Sequence, residues 1–320
     1  MRRIAVIGAG LMGHGIAQVA ATFGYDVVLR DIDQATLARG LMMVRGSLEK
    51  FVRSGQLDAE RAEEIATSIR LTTSLEDALA EADYVFEAIP EVLELKQEVF
   101  ADMDRLAPAK TILATNTSEL SPTAIASKTR RPDRVIATHW FNPPPIMPLV
   151  EVVRALDTSD ATLETTLELC RSLKKETVIC RKDTQGFIVS RALLAQRAEA
   201  LRMLEEGLAS VDEIDRAIEL GLNHRMGPFK LADYVGLDTG LRNLEYMAQA
   251  HGERFMPSST LRNLVTAGRL GRKTGRGFYD YGQPAPGEQK PTAPIIRQKH
   301  MKGSRKSLNL QAKPPIEDRG

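Results

Sequence analysis

Cysteine is scarce in this 320-residue chain: Cys170 and Cys180 are the only two. Two are too few for a disulfide framework, and they lack the C-x-x-C spacing of a zinc site, so no metal is expected. Both are expected to be small buried hydrophobic residues in a reducing cytoplasm. Net charge is nearly absent as well, 43 basic against 42 acidic residues giving +1. Without a basic excess the chain has no electrostatic footprint for nucleic acid, and no nucleic-acid partner is expected. Unbroken apolar runs of membrane-spanning length are missing too, so no membrane partner is expected. Arg2 and Arg3 precede an apolar stretch, as in a secretory signal. Gly8, Gly10, Gly13, Gly15 and Gln18 interrupt that stretch, however, and a β-α-β pattern continues beyond it.

What is present is an ordinary globular composition, 43% apolar and 27% charged, at a length suited to two domains. The apolar run Ile4–Ile7 leads directly into GAGLMG, then into the small-residue stretch GIAQVAATFG, which Gly24 closes. A strand buried on both faces, a tight glycine turn and a helix form the dinucleotide-binding unit. Gly8 permits the turn, Gly10 lets the backbone approach a pyrophosphate, and Gly13 lets the helix lie close to the strand. Leu11 and Met12 belong to the same turn, and the helix start offers free N–H groups to phosphate. The second strand, YDVVLRD, ends in Asp31, where an acidic side chain takes the ribose hydroxyls of NAD. A 2′-phosphate would be repelled there, which favours NAD over NADP.

A polar helical stretch is expected from about residue 34 to 69. The runs ADYVFEAI, KTILATN, RVIATHWF, LVEVV and ETVIC then read as strands, most of them separated by helical patterns. The alternation predicts an α/β fold of the Rossmann type, a doubly wound parallel sheet, over residues 1–183. From Thr184 the period becomes helical. GFIVSRALLAQRAEALRMLEEG is stopped by Gly207, and Ser210 with Glu213 has capping-box spacing. Residues 184–282 are therefore expected to form an all-helical domain. Residues 283–320 are rich in Pro, Lys and Arg and read as a solvated tail.

In an open α/β sheet ligands bind beyond the carboxyl ends of the strands. RVIAT ends in HWFNPPP, which puts His139 and Asn142 at such an end. Glu151 follows in LVEVV, where a carboxylate is costly to bury without a partner. If the intervening loop folds back, His139 is the nearest cation, and a Glu-oriented histidine suits a general base. Ser118 follows KTILATN, where capping a helix is the competing role. Glu91, with Lys96 one turn onward, follows ADYVFEAI; an exposed acid paired with a lysine is the plainer account of that pair.

Taken together, the blocks GAGLMGHGIA, EAIPEVLELK, TNTSEL, HWFNPPPIMPLVEVV, KDTQGFIVSR, MGPFKLADYVGLD and GRKTGRGFYDY resemble the 3-hydroxyacyl-CoA dehydrogenase family, in order, over residues 1–282. The resemblance implies reversible, NAD-dependent oxidation of a (3S)-3-hydroxyacyl-CoA, with 3-hydroxybutyryl-CoA as the type substrate in fatty acid metabolism. It also implies a homodimer formed through the helical domain. By matched motifs, His139 would be the base, Glu151 its partner, and Ser118 a hydrogen-bonding partner of the substrate hydroxyl. Glu91, Lys96, Asn142 and Lys273 would line the nicotinamide end of the cofactor. Ser47 would contact CoA, and Arg53 would stand in for lysines that grip the CoA phosphates in the family. Ser190 departs from the family, which has Asn where it positions the acyl carbonyl. Two other readings follow from the same residues: a dehydrogenase of a free 3-hydroxy acid, of the carnitine or gulonate type, and an NAD-binding relative without turnover. Retention of both His139 and Glu151 argues against the second, because binding NAD needs neither.

Overall fold

The structure, a computed structural model, describes residues 1–282; the Pro-rich and basic tail expected at 283–320 lies outside the described residues. The strands are β1 (Arg3–Ile7), β2 (Asp26–Arg30), β3 (Arg70–Thr72), β4 (Tyr84–Glu87), β5 (Ile112–Thr115), β6 (Val135–Trp140), β7 (Leu149–Arg154) and β8 (Glu176–Cys180). Helices α1 (Gly13–Thr22), α2 (Gln34–Arg53), α3 (Ala59–Ser68), α4 (Leu75–Leu79), α5 (Leu93–Leu106), α6 (Pro122–Ala126) and α7 (Asp160–Ser172) lie between them. After β8 come α8 (Val189–Glu205), α9 (Val211–Gly221), α10 (Pro228–Val235), α11 (Leu237–His251) and α12 (Ser259–Thr266), with isolated bridges only at Gly271, Arg276 and Asp280.

The eight strands form one sheet in the order β3-β2-β1-β4-β5-β6-β7-β8. Side chains alternate across it, and the cores show this directly. Ile4, Val6, Tyr84 and Phe86 join one apolar cluster, while Ala5, Ile7 and Val85 join another on the opposite face. Helices covering both faces account for strands that read as unbroken apolar runs. The sheet departs from an all-parallel expectation at one seam, where β7 pairs antiparallel to β6 and β8 then follows β7 in parallel. The loop between β6 and β7 is too short for a crossover helix, so the chain has to turn back.

The helical stretch expected at about 34–69 is a hairpin of two helices. Its break falls at Gly55, whose φ of 71° is in the left-handed region. The capping box at Ser210 and Glu213 forms as its spacing predicts. Helix α8 buries Leu194, Ala198, Ala200 and Leu201 in a third core with α9 to α12. These apolar side chains of α8 are thus covered within the chain. The exposed leucines of this half are Leu208 and Leu222, which flank α9, and Leu220 in its last turn. Among the described residues, no helix is long and apolar enough to cross a membrane. Both cysteines are free and buried, and burial pushes the Cys170 thiol up to about 12.

Within the first half, Asp183 accepts hydrogen bonds from Ser121 Oγ and, at 3.0 Å, from Thr123 N. The helical half meets the sheet half where Tyr246 of α11 packs on a sheet-side core. Glu119, 7% exposed, is pushed up to about 7 by burial and by the nearby Glu91, while Arg242 of α11 opposes the shift. A carboxyl raised in the folded state disfavours folding increasingly as pH climbs from the ordinary value of 4.5 through 7, and fully above that. Glu119→Gln should therefore raise unfolding stability more at pH 8 than at pH 5, by up to about 2 kcal/mol. Equal gains at both pH values in denaturant titrations would refute this.

Candidate active site

The strand order sets the carboxyl ends of β1, β4, β5 and β6 side by side. At β1 the glycine turn is a packing necessity: a Cβ on Gly13 would lie 1.7 Å from Gly8 O. A Cβ on Gly10 would meet nothing within 4 Å, so the turn is open toward the space above it. The amides of Leu11 and Met12 bond to nothing among the described residues, and they precede the start of α1. Asp31, just past β2, holds the turn through Ala9 N at 2.7 Å and takes Ile32 N at 2.7 Å on its other oxygen. A carboxylate has further lone pairs for ribose hydroxyls.

At β4, Glu87 is fully buried. Its carboxylate accepts from Lys96 Nζ at 2.6 Å, Ile89 N at 2.7 Å and Thr115 Oγ1 at 2.6 Å. Lys96, 1% exposed, also reaches Glu91 at 3.3 Å. Glu91 in turn accepts from Ser118 N at 2.9 Å, Glu119 N at 3.3 Å and Thr117 Oγ1. The loops after β4 and β5 are thereby tied together. Asn116 Oδ1 accepts from Trp140 N at 2.9 Å and ties β5 to β6.

His139 and Glu151 are register partners across the antiparallel pair β6 and β7, and His139 Nδ1 lies 2.7 Å from Glu151 Oε2. A carboxylate only accepts, so Nδ1 carries the hydrogen, and in the neutral ring Nε2 keeps its lone pair. The second oxygen of Glu151 accepts from Ile188 N at 3.1 Å and Val189 N at 2.9 Å, at the start of α8. A buried carboxylate with three donors is satisfied.

A cavity of about 850 Å³ runs over these strand ends, and Gly8, Gly10, Leu11, Met12, Asp31, Glu91, Ser118, His139 and Asn142 all line it. A second cavity of about 650 Å³ adjoins it, sharing Leu11 and Asn142 and adding His14, Ser47, Lys50 and the Pro143–Ile146 loop. Lys175 pins that loop by donating to Pro144 O at 2.6 Å and Met147 O at 2.8 Å.

Four residues that the motif resemblance implies for the site line neither cavity. Lys96 is buried behind Glu91 and lines neither cavity, because its ammonium neutralises the Glu87 carboxylate. Lys273 is held by Asp238 at 2.6 and 2.7 Å beside Gly236, outside the cleft lining. Arg53 faces a separate groove between α2 and α3 near Glu49, and Lys50 is the cation on the Ser47 side. Ser190, half-buried in the first turn of α8, lines neither cavity, whereas its neighbour Val189 holds Glu151. Sequence reasoning missed Glu87, Lys50 and Lys175. For Glu87 the signal that exposed Glu151 was present: an acid inside an apolar strand.

Free amides before α1, a carboxylate at Asp31 and open space at Gly10 fit a dinucleotide laid over the strand ends. Comparison with known proteins agrees. Residues 3–184 match the family model described as the NAD binding domain of 3-hydroxyacyl-CoA dehydrogenase, and residues 186–281 match its C-terminal domain. The mitochondrial hydroxyacyl-coenzyme A dehydrogenase of Rattus norvegicus is 43% identical, over 88% of this chain and 91% of its own. A probable 3-hydroxybutyryl-CoA dehydrogenase of Bacillus subtilis is 42% identical, over 88% of this chain and 98% of its own. The crystal structure of (S)-3-hydroxybutyryl-CoA dehydrogenase from Ralstonia eutropha superposes with a TM-score of 0.85 at 40% identity, covering 88% of this chain and all of that one. With both halves matched and the catalytic-type pair at the end of β6, the chain belongs to the 3-hydroxyacyl-CoA dehydrogenase family.

Proposed function

We propose that this NAD-dependent 3-hydroxyacyl-CoA dehydrogenase works through His139 as general base, oriented by Glu151, on (3S)-3-hydroxyacyl-CoA substrates. The 2.7 Å contact between Nδ1 and the carboxylate, with the ring lining the cleft, is the observation that carries this reading. Nε2 takes the proton of the 3-hydroxyl, and the imidazolium so formed faces a carboxylate already in place. NAD, when bound, supplies the hydride acceptor. The amides of Ile188 and Val189 hold Glu151, so the imidazole keeps one orientation through the proton transfer. Ser118 lies in the same cleft to hydrogen-bond the substrate oxygen, and Glu91 fixes its backbone. The second cavity, with Ser47 and Lys50, receives the CoA arm, and Lys50 does the work assigned to Arg53.

A second copy of the chain is the expected partner. Leu208, Leu220 and Leu222, 70%, 74% and 58% exposed, leave apolar area on the helical half for it to cover. The two free buried thiols support a reducing, cytoplasmic setting.

NADH oxidation should be faster with acetoacetyl-CoA than with free acetoacetate at equal concentration. The reverse order would favour a free 3-hydroxy acid as substrate. His139→Ala should lower kcat by about 10²- to 10⁴-fold with NADH affinity little changed, and Glu151→Gln should also slow turnover. Near-normal rates in the alanine variant would remove the base from the mechanism. Solution mass at micromolar concentration should be twice that of the chain, and a monomer would refute the dimer.

A further inference from the structure

His14 follows the glycine turn on the first turn of α1, and its ring lines the second cavity. Its Nδ1 lies 2.8 Å from Gly10 O. A carbonyl oxygen only accepts, so Nδ1 carries the hydrogen and, in the neutral ring, Nε2 is a bare acceptor. Burial pushes this histidine below its ordinary value, which keeps the ring neutral at pH 7. Nε2 bonds to none of the described residues. The cavity's other ionisable group, Lys50, offers donors only. The site thus sets a fixed acceptor near Leu11 and Asn142, the two residues that this cavity shares with the cleft holding His139.

The arm of an acyl-CoA carries two amide N–H groups between its thioester and its phosphates, and a free 3-hydroxy acid carries none. We propose that His14 is a specificity-determining residue: its Nε2 accepts a hydrogen bond from an amide N–H of the pantetheine arm, which selects CoA thioesters over free 3-hydroxy acids. This rests on the reading that the second cavity receives the CoA arm. The Gly10 bond sets the ring, so the same backbone turn that shapes the dinucleotide site also aims the acceptor for the second substrate.

The test measures kcat/KM and KM for NADH in the wild type and in His14→Ala, with acetoacetyl-CoA and with the S-ethyl thioester of acetoacetate, which lacks any amide. Loss of one neutral hydrogen bond should lower kcat/KM on acetoacetyl-CoA about three- to tenfold, chiefly through KM. The S-ethyl thioester and KM for NADH should stay within about twofold. Equal losses on both thioesters, a matching rise in KM for NADH, or no loss on acetoacetyl-CoA would each overturn the role of His14. Failure of the underlying reading has a different signature, visible in the wild type alone: no preference for acetoacetyl-CoA over the S-ethyl thioester.

Discussion

The buried carboxylate of Glu151 is the constraint on which the active-site architecture depends. It is 0% exposed, and a lone charge so placed would cost several kcal/mol. Three donors offset that cost: His139 across the strand pair, and the amides of Ile188 and Val189 at the start of α8. One side chain therefore orients the His139 ring and joins the sheet to the helical half. The antiparallel turn-back of β7 sets His139 directly opposite Glu151.

A second buried charge network has a comparable effect at the end of β4. Glu87, Lys96 and Glu91 form a chain of ion pairs, and Thr115, Thr117 and the Ser118 amide complete their hydrogen bonding. Glu91 and Ser118 line the cleft, and the network holds the loops of β4 and β5 at a fixed spacing. Around Glu87 and Lys96, both buried, a partly satisfied network would be worse than apolar packing. The network binds loop to loop, and the cleft inherits its rigidity. Glu119, beside it, is buried near the Glu91 carboxylate, and its raised carboxyl is the result.

The two cavities show how a helix surface sorts chemistry. Ser47 and Lys50 are three residues apart on α2 and line one cavity, while Arg53, three further, has rotated to the α3 side. Residues three or four apart share a face, and six apart they do not. Leu11 and Asn142 are walls of both cavities, and the proposed substrate pose uses that continuity: the reacting carbon beside His139 and the carrier arm beside His14 and Ser47.

Local pattern was enough for much of this. The apolar run, glycine turn and small-residue helix at residues 4–24 announced a dinucleotide unit, and the recurring strands announced a doubly wound sheet, because period and turn chemistry are short-range properties. An acid in the apolar strand LVEVV pointed to Glu151 for the same reason: burial cost can be read without knowing the partner. Other features depended on groups far apart in sequence. Lys96, spaced as a surface helix lysine, is buried because Glu87 waits beneath it, and Lys273 is taken up by Asp238, 35 residues away. The extent to which α8 is covered depended on α9 to α12 closing over it. Sequence by itself determined the elements, the nucleotide turn and the candidate pair His139 and Glu151. Tertiary structure alone decided the antiparallel seam that brings those two together, which cations reach the cavities, and which face of α2 lines the second cavity. The reason is that pairing energies of buried charges are settled by neighbours in space, and no local period encodes them.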